Sequence, residues 1–414
     1  RLPFQYSKTP VSLQPGIWPG QDTERILSEG WDSAKFVASR EYFGPTGPLV
    51  NGILSGVNVV EMTQGLAGPY ASLLLADSGA TVTKIEPPEG DYARGFHPPL
   101  VGDSSAVFFH LNRNKAGLKI DISKAAGRKS LLELIRKADV FIEDEGQSRL
   151  KRLGLSYKDL EKTNPKLIYC SITPYGTKGP LRNQPTSELV LQAMSEFPHD
   201  LGIRGEEPIR MGPDMASLGT SLYITNGVLA ALHHKWMTNE GQHLTVDMLG
   251  TLLHQRGITW TSIENPEEWT GFYCESDLKP PYYGYRTADQ AVVMPPPRND
   301  AALPGLLKAL NLRGYIEQLL AENSGRDLLG WNGNSTLALE ASPIWEEAFM
   351  QYSAEDLSEI LERFEIMSAP INDYQQLFSH PQVATLDMIT EFDHPSTGKS
   401  KFLRPPWKLY GIPR

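Results

Sequence analysis

The sequence predicts an α/β protein built on a parallel, Rossmann-like sheet, with a smaller α+β domain later in the chain. First, a β-branched run, a helical pattern and a second β-branched run follow one another within residues 56–88, a β-α-β unit of about 30 residues. Second, this alternation recurs as far as residue 250. Third, 414 residues with 40% hydrophobic and 21% charged side chains can form two or three domains with substantial cores.

The predicted strands are short apolar runs that end at Gly, Pro or polar residues. They lie at residues 56–62, 81–88, 118–123, 139–145, 166–176 and 242–248. Helical patterns lie between them at residues 68–80, 125–138 and 216–236. Strands that alternate with helices in this way build a doubly wound sheet with helices on both faces.

Changes in composition and in hydrophobic periodicity divide the chain into four segments. Residues 1–55 are rich in Pro and Gly and are interpreted as an N-terminal extension that wraps the surface or links to something upstream. The large Rossmann-like domain is expected at 56–250, and a linker with the small domain at 251–365. Residues 366–414 are expected to return to the large domain.

Composition excludes several classes of function. A net charge of −10 leaves no basic excess to neutralise phosphates, so neither a nucleic acid nor an anionic membrane is an expected partner. The two cysteines, Cys170 and Cys274, cannot form a disulfide framework. The longest apolar run, near 221–232, is interrupted by polar residues and falls short of a membrane span. Residues 1–16 lack the apolar core of a signal peptide, so a cytoplasmic protein is predicted.

The first turn between strand and helix, TQGLAGPY (63–70), lacks the G-x-G-x-x-G fingerprint of dinucleotide-binding domains. A nicotinamide cofactor is therefore not expected, although Glu86 ends the second strand where a ribose-binding acid would lie. Gly65 and Gly68 still allow a ligand to approach the N-terminus of a helix, which is a natural anion site. The alternative is an ordinary tight connection.

The stretch HLNRNKAGLKID (110–121) concentrates two amides and two cations: Asn112, Arg113, Asn114 and Lys115. Such side chains suit a ligand that carries phosphates and amides, whereas the alternative interpretation is a solvated loop. No spacing of His or Cys fits a metal site, since the adjacent His233 and His234 cannot face one ion from a helix. We therefore expect neither a metal nor a tightly bound cofactor.

The order of motifs resembles the family III CoA-transferases, the CaiB/BaiF type, which include formyl-CoA transferase, carnitine CoA-transferase and succinyl-CoA:benzylsuccinate CoA-transferase. The resemblance covers about 56–414 and is carried by VVEMTQGLAGPYASLLLADSGATVTKIEPPEGDYARG, FFHLNRNKAGLKIDI, ADVFIED, RLKRLGLSYKDLEKTNPKLIYCSIT, YGTKGPLRNQPTSELVLQAMSE, NGVLAALHHKWMTNEGQHLTVDM, YGYRTAD and SAPINDYQQLFSHPQV.

The resemblance implies two chains interlocked like links, with a CoA thioester as the substrate. In such enzymes an Asp carboxylate attacks the thioester, and CoA passes through an enzyme-bound anhydride and thioester to a second carboxylic acid. The resemblance also implies contacts with CoA from positions in the first turn, in the Asn-rich stretch and after the fourth strand. In this chain these are Leu66, Ala67, Asn112, Asn114, Lys115 and Arg152.

The chain departs from the family at the catalytic position. PIRMGPDMASLGTSLYITNGVLAAL (208–232) aligns without a gap, and Ser217 falls where the Asp is expected. Asp214 lies three residues earlier and is more simply interpreted as the N-cap of a helix. Racemase relatives place a His in the stretch that reads TSEL (186–189) here, so racemase activity is not expected. At 143–145 three acids replace the usual E-N-F, and PPPRND (295–300) stands near the expected glycine-rich loop.

The sequence therefore predicts the non-nucleophilic subunit, or half, of a family III CoA-transferase. An Asp-bearing homologous subunit or domain is the expected partner, and acyl-CoA and a small carboxylic acid are the expected substrates. Tyr282, Tyr283 and Tyr285 could line a site, although core packing is the commoner role. One alternative is a catalytically silent acyl-CoA-binding or regulatory protein. Another is a standalone transferase or lyase that uses Asp214.

Overall fold

The protein is described from a computed structural model of the whole chain. The structure describes residues 4–9, 24, 27–28, 42–44, 52–101, 104–195, 197–200, 207–256, 284–294, 302–312, 314, 343–394 and 398–407. Cys274, Tyr282, Tyr283 and the PPPRND stretch, which figure in the sequence predictions, lie outside these residues.

The chain divides into a large unit, Arg1–Gly257 with Thr390–Arg414, and a small unit, Ile258–Ile389. These limits differ from the predicted ones, most clearly at the C-terminal return, which the sequence predicts at residue 366. The reason is the strand Ala369–Pro370, which pairs with Ala291–Val293 and thereby keeps this part of the chain in the small unit.

The large unit contains a seven-stranded sheet. Its strands are β1 (Phe4–Tyr6), β2 (Asn58–Met62), β3 (Thr81–Glu86), β6 (Lys115–Lys119), β7 (Val140–Glu143), β8 (Ile168–Thr173) and β9 (His243–Asp247). The short strands β4 (Pro99–Val101) and β5 (Ser104–Ser105) pair separately. The order across the sheet is β1-β9-β8-β7-β2-β3-β6, and all pairs except β1–β9 are parallel. Without β1, this is the doubly wound order of Rossmann domains, which confirms the predicted α/β class.

Two strands differ from their predictions. β1 lies within the segment interpreted as a surface extension, yet it pairs antiparallel with β9 and closes the edge of the sheet. A strand of three residues is too short to show the alternation of apolar and polar residues by which strands are predicted. β6 begins at Lys115, three residues before the predicted start, because its register follows β3 from Val82 to Glu86.

Helices cover both faces of the sheet, as a doubly wound fold requires. On one face α1 (Ala67–Asp77) and α8 (Met215–Thr238) pack over Val59, Ile142 and Leu244, and on the other α3 (Ala125–Ile135) packs over Val60 and Phe141. The helices of the large unit are α1 (Ala67–Asp77), α2 (Ala106–Leu111), α3 (Ala125–Ile135), α4 (Gln147–Arg152), α5 (Tyr157–Leu160), α6 (Glu188–Met194), α7 (Phe197–Asp200), α8 (Met215–Thr238) and α9 (Met248–Gln255).

α8 corrects the prediction that no segment is long and apolar enough to span a membrane. Its 24 residues reach a mean hydropathy of 1.3 over an 18-residue window. The same helix buries Ile224, Val228 and Leu232 against the sheet. Its apolar character is therefore accounted for by its position in the core, because a helix packed on several sides is hydrophobic around most of its circumference.

The small unit has its own sheet and core. Tyr285–Arg286 (β10), Ala291–Val293 (β11) and Ala369–Pro370 (β12) form an antiparallel sheet. Helices α10 (Leu303–Ala309), α11 (Ala354–Glu362), α12 (Tyr374–Ser379) and α13 (Pro381–Thr385) accompany it, and β13 (Ile389–His394) pairs with β14 (Gly398–Leu403) where the chain leaves this unit. Tyr285 is buried with its ring against Phe349, so the one predicted tyrosine that the structure describes is a core residue.

Candidate functional site

The strand order reverses between β2 and β7, and in open α/β sheets ligands bind in the crevice at the carboxyl ends of strands at such a point. A cavity of about 260 Å³ lies along this edge, beyond the ends of β2, β3, β6 and β7. Its polar lining includes Glu89, Asp121, Glu145 and Arg149. The apolar walls are Met62, Ile85, Pro87, Pro88, Ile120 and Ile122.

The turn that precedes α1 lies at the same edge. Its first two amides are already bound, since Gln64 N donates to Asp144 Oδ2 at 2.9 Å and Gly65 N donates to Asp91 Oδ1 at 3.0 Å. Leu66 is the N-cap of α1 and supplies no side-chain cap, and Ala67 is the first helical residue. The two residues predicted from the resemblance thus lie at a helix N-terminus, which favours an anionic group.

A buried ionic cluster of Glu61, Lys84, Asp91 and Lys115 lies against this turn. Lys84 Nζ lies 3.0 Å from Glu61 Oε1 and 2.9 Å from Asp91 Oδ2, and it donates to Thr63 O at 2.9 Å. Burial opposes ionisation of Glu61, but the charges of Lys115 and Lys84 outweigh it and hold the pKa of Glu61 at about 2. Two carboxylates therefore balance two ammonium groups inside the large unit.

Three of the residues predicted to contact CoA have partners within the protein. Lys115 Nζ donates to Glu61 Oε2, Pro69 O and Asn112 Oδ1 at 2.9, 2.8 and 3.0 Å, which uses all three of its protons. Asn112 Nδ2 donates to Phe108 O at 2.8 Å. Asn114 has φ 61° and donates to Asp77 at 2.8 Å, so it shapes the turn. These contacts leave Lys115 no proton to donate to a phosphate in this conformation.

The remaining predicted cation, Arg152, ends α4 and is exposed. Arg149, one turn earlier on the same helix, lines the cavity and pairs with Glu145. Burial raises the pKa of Glu143, at the end of β7, to about 7. The acids at 143–145 therefore do not form one uniform negative patch, because Glu143 is buried and Glu145 is neutralised by Arg149.

The N-terminus of α8 holds the residue that stands in place of the expected nucleophile. Ser217 lies in the first turn and is 8% exposed. Its Oγ donates to Glu188 Oε2 at 2.8 Å, and its backbone N donates to the same oxygen at 3.0 Å. Ala216 N donates to Glu188 Oε1 at 2.7 Å. A carboxylate from α6 therefore lies within hydrogen-bond distance of the residue at which the alignment predicts an Asp.

Asp214 is the N-cap of α8, as predicted, but its side chain makes no capping hydrogen bond. It lies 3.5 Å from Arg210 and is partly exposed. Burial and the neighbouring Glu188 carboxylate raise the pKa of Asp214, whereas Arg210 lowers it. Asp214 is thus a second carboxylate near Ser217, held less firmly than Glu188.

Buried polar atoms without partners surround this end of α8. Within the described part of the chain, Gln192 Oε1, Thr220 Oγ1 and Gln255 Oε1 have no hydrogen-bond partner. These residues lie on α6, α8 and α9, which contact one another. Buried polar atoms in native proteins nearly always have a partner, so this region is suited to a polar ligand or water.

The N-termini of α1 and α8 lie at the same edge of the sheet. α1 follows β2 and α8 precedes β9, and both strands belong to the parallel part of the sheet, so the two helices run in the same direction. Thr225 Oγ1 lies 3.5 Å from Ala71 O where the helices touch. The dipoles of both helices therefore direct their positive ends toward this edge of the sheet. Among the described residues no group of His, Cys, Asp and Glu could hold a metal ion.

A doubly wound domain with helix N-termini along its ligand-binding edge defines the chain as an α/β protein suited to an anionic substrate. The chain belongs to CoA-transferase family III, whose family model matches residues 54–414. This confirms the resemblance drawn from the motifs. The substrates of such enzymes are CoA thioesters, as that resemblance implied.

Relatives and solved structures agree with this assignment. The chain is 30% identical over 351 residues to human succinyl-CoA:glutarate CoA-transferase, covering 84% of this chain and 78% of the relative. It is 29% identical over 359 residues to the succinyl-CoA:mesaconate CoA-transferase of Haloarcula hispanica, covering 83% and 86%. The crystal structure of a CAIB/BAIF family protein from Brucella suis superposes with a TM-score of 0.77 at 26% identity, covering 87% of this chain and 94% of that one.

Sequence reasoning missed Glu188, the residue that contacts Ser217 most closely. It lies 29 residues before Ser217, in the seven-residue helix α6. The available signal was an acid within TSEL, the stretch where racemase relatives place a catalytic His. Only the packing of α6 against α8 makes that acid part of the site.

Proposed function

We propose that this chain is the subunit, or half, of a CoA-transferase that does not supply the nucleophile. The complete enzyme moves CoA from an acyl-CoA such as succinyl-CoA to a small carboxylic acid. Relatives whose names pair succinyl-CoA with glutarate or mesaconate support a dicarboxylic acid as the acceptor. The partner is an Asp-bearing homologous chain or domain interlocked with this one, in the cytoplasm.

The observation that carries the proposal is the contact of Ser217 with Glu188. A carboxylate nucleophile passes CoA in both directions, because its anhydride and its thioester have similar acyl-transfer potential. A serine would instead take the acyl group as an oxygen ester and release CoA, and because it has no carbonyl of its own it could not then carry CoA as a thioester. Within the described residues, Glu188 is the acceptor for the Ser217 hydroxyl. Glu188 also accepts hydrogen bonds from Ala216 N, Ser217 N and Gln192 Nε2, so both of its carboxylate oxygens are engaged within the protein.

The other features of the large unit support a structural and substrate-binding role. The crevice provides apolar walls and Arg149 beside the N-terminus of α1. These groups suit the nucleotide and pantetheine parts of a CoA thioester, with Arg152 as a further cation on α4. In this proposal Leu66 and Ala67 present backbone amides, whereas Asn112, Asn114 and Lys115 keep the edge of the sheet in place.

The test is to isolate the chain from the organism that encodes it and to identify every associated chain by native mass spectrometry and peptide sequencing. We expect a stable complex with an Asp-bearing homologue. Transfer from succinyl-CoA to glutarate is expected from the complex and not from this chain alone. The Ser217→Ala variant of this chain should leave the activity of the complex unchanged.

Three outcomes would overturn the proposal. Transfer activity of the isolated chain, abolished by Glu188→Gln or Asp214→Asn with folding intact, would show that a carboxylate of this chain is the nucleophile. A homodimer that binds succinyl-CoA without turnover would instead favour the acyl-CoA-binding or regulatory alternative. Loss of activity in the complex on Ser217→Ala, with folding intact, would also contradict a silent site.

A further inference from the structure

The turn between β2 and α1 is held by one residue of β3 and one that follows it. Gly65 N donates to Asp91 Oδ1 at 3.0 Å, and Lys84 Nζ donates to Thr63 O at 2.9 Å. Lys84 Nζ also lies 2.9 Å from Asp91 Oδ2, and the two side chains are 2% and 0% exposed. A single buried ion pair therefore fixes the backbone of the turn at two points.

This ion pair is itself held firmly. Asp91 N donates to Glu86 Oε2 at 3.0 Å, and Asp91 Oδ1 also accepts from Ala93 N at 2.9 Å. Burial disfavours the charged form of Lys84, but Glu61 and Asp91 outweigh it and raise the pKa of Lys84. Lys84 is therefore an ammonium group at neutral pH, and the pair cannot shift without breaking several hydrogen bonds.

The amides that follow Gly65 lie where the turn enters α1. Gly65 has φ 80°, and a Cβ at this position would collide with the Tyr92 hydroxyl, so the turn requires glycine. Leu66 N has no hydrogen-bond partner among the described residues, and Ala67 is the first residue of the helix. The direction of these amides depends on how the preceding turn is held.

We infer that Asp91 and Lys84 are positioning residues of the proposed CoA site. They orient the turn so that the amides of Leu66 and Ala67 can receive an anionic group of the ligand. The inference rests on the proposed function, in which this chain binds a CoA thioester. Neither side chain reaches the ligand, because both are buried under the turn. Their contribution is preorganisation, since a turn that is already ordered costs less free energy on binding.

The opposite end of β2 provides a matched control. Asp139 Oδ2 accepts from Asn58 N at 2.9 Å, and Asp139 Oδ1 accepts from Lys235 Nζ at 2.6 Å. Asn58 begins β2, so this pair lies at the amino edge of the parallel strands, whereas ligands bind beyond their carboxyl ends. At both ends of β2 an aspartate thus joins a backbone amide to a lysine.

The experiment compares Asp91→Asn with Asp139→Asn. An asparagine side chain has one acceptor atom, so it cannot serve both the backbone amide and the lysine. In isothermal titration with CoA at pH 7, Asp91→Asn should weaken binding about tenfold. Asp139→Asn should change it by less than about twofold, because its site is remote from the crevice. Circular dichroism and urea unfolding establish that both variants are folded under these conditions.

Amide hydrogen exchange measures the turn directly. Exchange in peptides that cover residues 63–67 should rise in Asp91→Asn and stay at the wild-type level in Asp139→Asn. If Asp91→Asn does not fold, the double variant Asp91→Asn, Lys115→Met takes its place, with Lys115→Met as its reference. It removes one charge of each sign and so keeps the buried cluster neutral.

Two results would overturn the inference while the proposed function stands. One is equal affinity of the wild type and Asp91→Asn for CoA, and the other is an equal loss of affinity in Asp91→Asn and Asp139→Asn. Unchanged exchange at residues 63–67 in Asp91→Asn would also overturn it. A wild type that binds no CoA would overturn the proposed function and the ligand named here. The exchange comparison then decides by itself whether Asp91 orients the turn.

Discussion

Lys115 Nζ lies 2.9 Å from Glu61 Oε2, and their side chains are 1% and 0% exposed. In sequence, Lys115 belongs to a stretch of amides and cations that suits a phosphate ligand. In the structure it is the first residue of β6 and is turned inward to the cluster beneath α1. Burial lowers the pKa of Lys115 to about 8, so its ammonium group still balances Glu61 at pH 7.

Replacing Lys115 with Met should lower the free energy of unfolding by about 3–5 kcal/mol, because it leaves a buried carboxylate with one partner fewer. Urea unfolding followed by circular dichroism measures this change. Arg152→Met is the matched comparison: it removes an exposed cation and should change stability by less than about 0.5 kcal/mol.

For the affinity for CoA we expect the reverse order: Arg152→Met should have the larger effect and Lys115→Met the smaller one. Arg152→Met is expected to weaken CoA binding several-fold, since a cation that can reach a phosphate is lost. Isothermal titration under conditions where both variants are folded makes the comparison. A Lys115→Met protein of normal stability that binds CoA poorly would contradict the structural role of Lys115.

Gly68 is in the first turn of α1, against Thr63. A Cβ at this position would clash with Thr63 Oγ1, which itself donates to Glu61 Oε1 at 2.7 Å and so is not free to move. Gly68→Ala should therefore cost about 1–3 kcal/mol of stability and displace the turn at the crevice. Gly95→Ala is the control, since its Cβ would meet nothing within 4 Å. Equal denaturation midpoints for the two variants would contradict the packing at Gly68.

Ser217→Asp tests the charge at the N-terminus of α8. An acid in the first turn ordinarily stabilises a helix by about 0.3–1 kcal/mol. Here a second carboxylate would lie beside Glu188 and the serine-to-glutamate hydrogen bond would be lost, so we expect a loss of about 2 kcal/mol. Urea unfolding at pH 7 decides the sign.

The double variant shows whether Glu188 is the cause of that loss. Glu188→Gln removes one charge, and Ser217→Asp should be less destabilising in that background, with a coupling of about 1–2 kcal/mol. Additive effects of the two substitutions would mean that the carboxylate introduced by Ser217→Asp turns away from Glu188. The 2.8 Å contact between Ser217 and Glu188 would then not govern the site.

The fold could be predicted from the sequence because its signals are local. Runs such as VNVVEM and TVTKIE mark buried strands, and the helical pattern between them requires a crossover. β1 could not be predicted because three residues carry no periodicity, and its place in the sheet depends on pairing with β9. The start of β6 could not be predicted because a lysine among polar residues is typical of a loop. Its burial depends on Glu61, which lies 54 residues earlier in the chain.

The site could be predicted only in part for the same reason. Ser217, Leu66 and Ala67 come from the resemblance to the family, and their roles in a site stay predictions. Glu188 reaches Ser217 through the packing of α6 on α8, which no local pattern encodes. Contacts between side chains distant in sequence are settled by tertiary packing, and neither spacing nor composition reports them.

The pH dependence of stability should carry the signature of Glu143. This side chain is fully buried at the end of β7 and accepts a hydrogen bond from Glu145 N at 3.0 Å. Burial raises the pKa of Glu143 from its ordinary value of 4.5 to about 7, so the folded state holds this proton more tightly than the unfolded state. The associated stability is therefore complete below about pH 4.5 and is lost as the pH rises to about 7, on the order of 3 kcal/mol.

Glu143→Gln cannot ionise and should abolish this part of the pH dependence, which urea unfolding between pH 4.5 and 8 measures. The exposed Glu240, with 59% of its side chain accessible, is the matched control, and Glu240→Gln should leave the wild-type profile unchanged. A Glu143→Gln variant whose stability has the wild-type slope between pH 4.5 and 7 would contradict the assignment. In that case Glu143 would be ionised at neutral pH in spite of its burial.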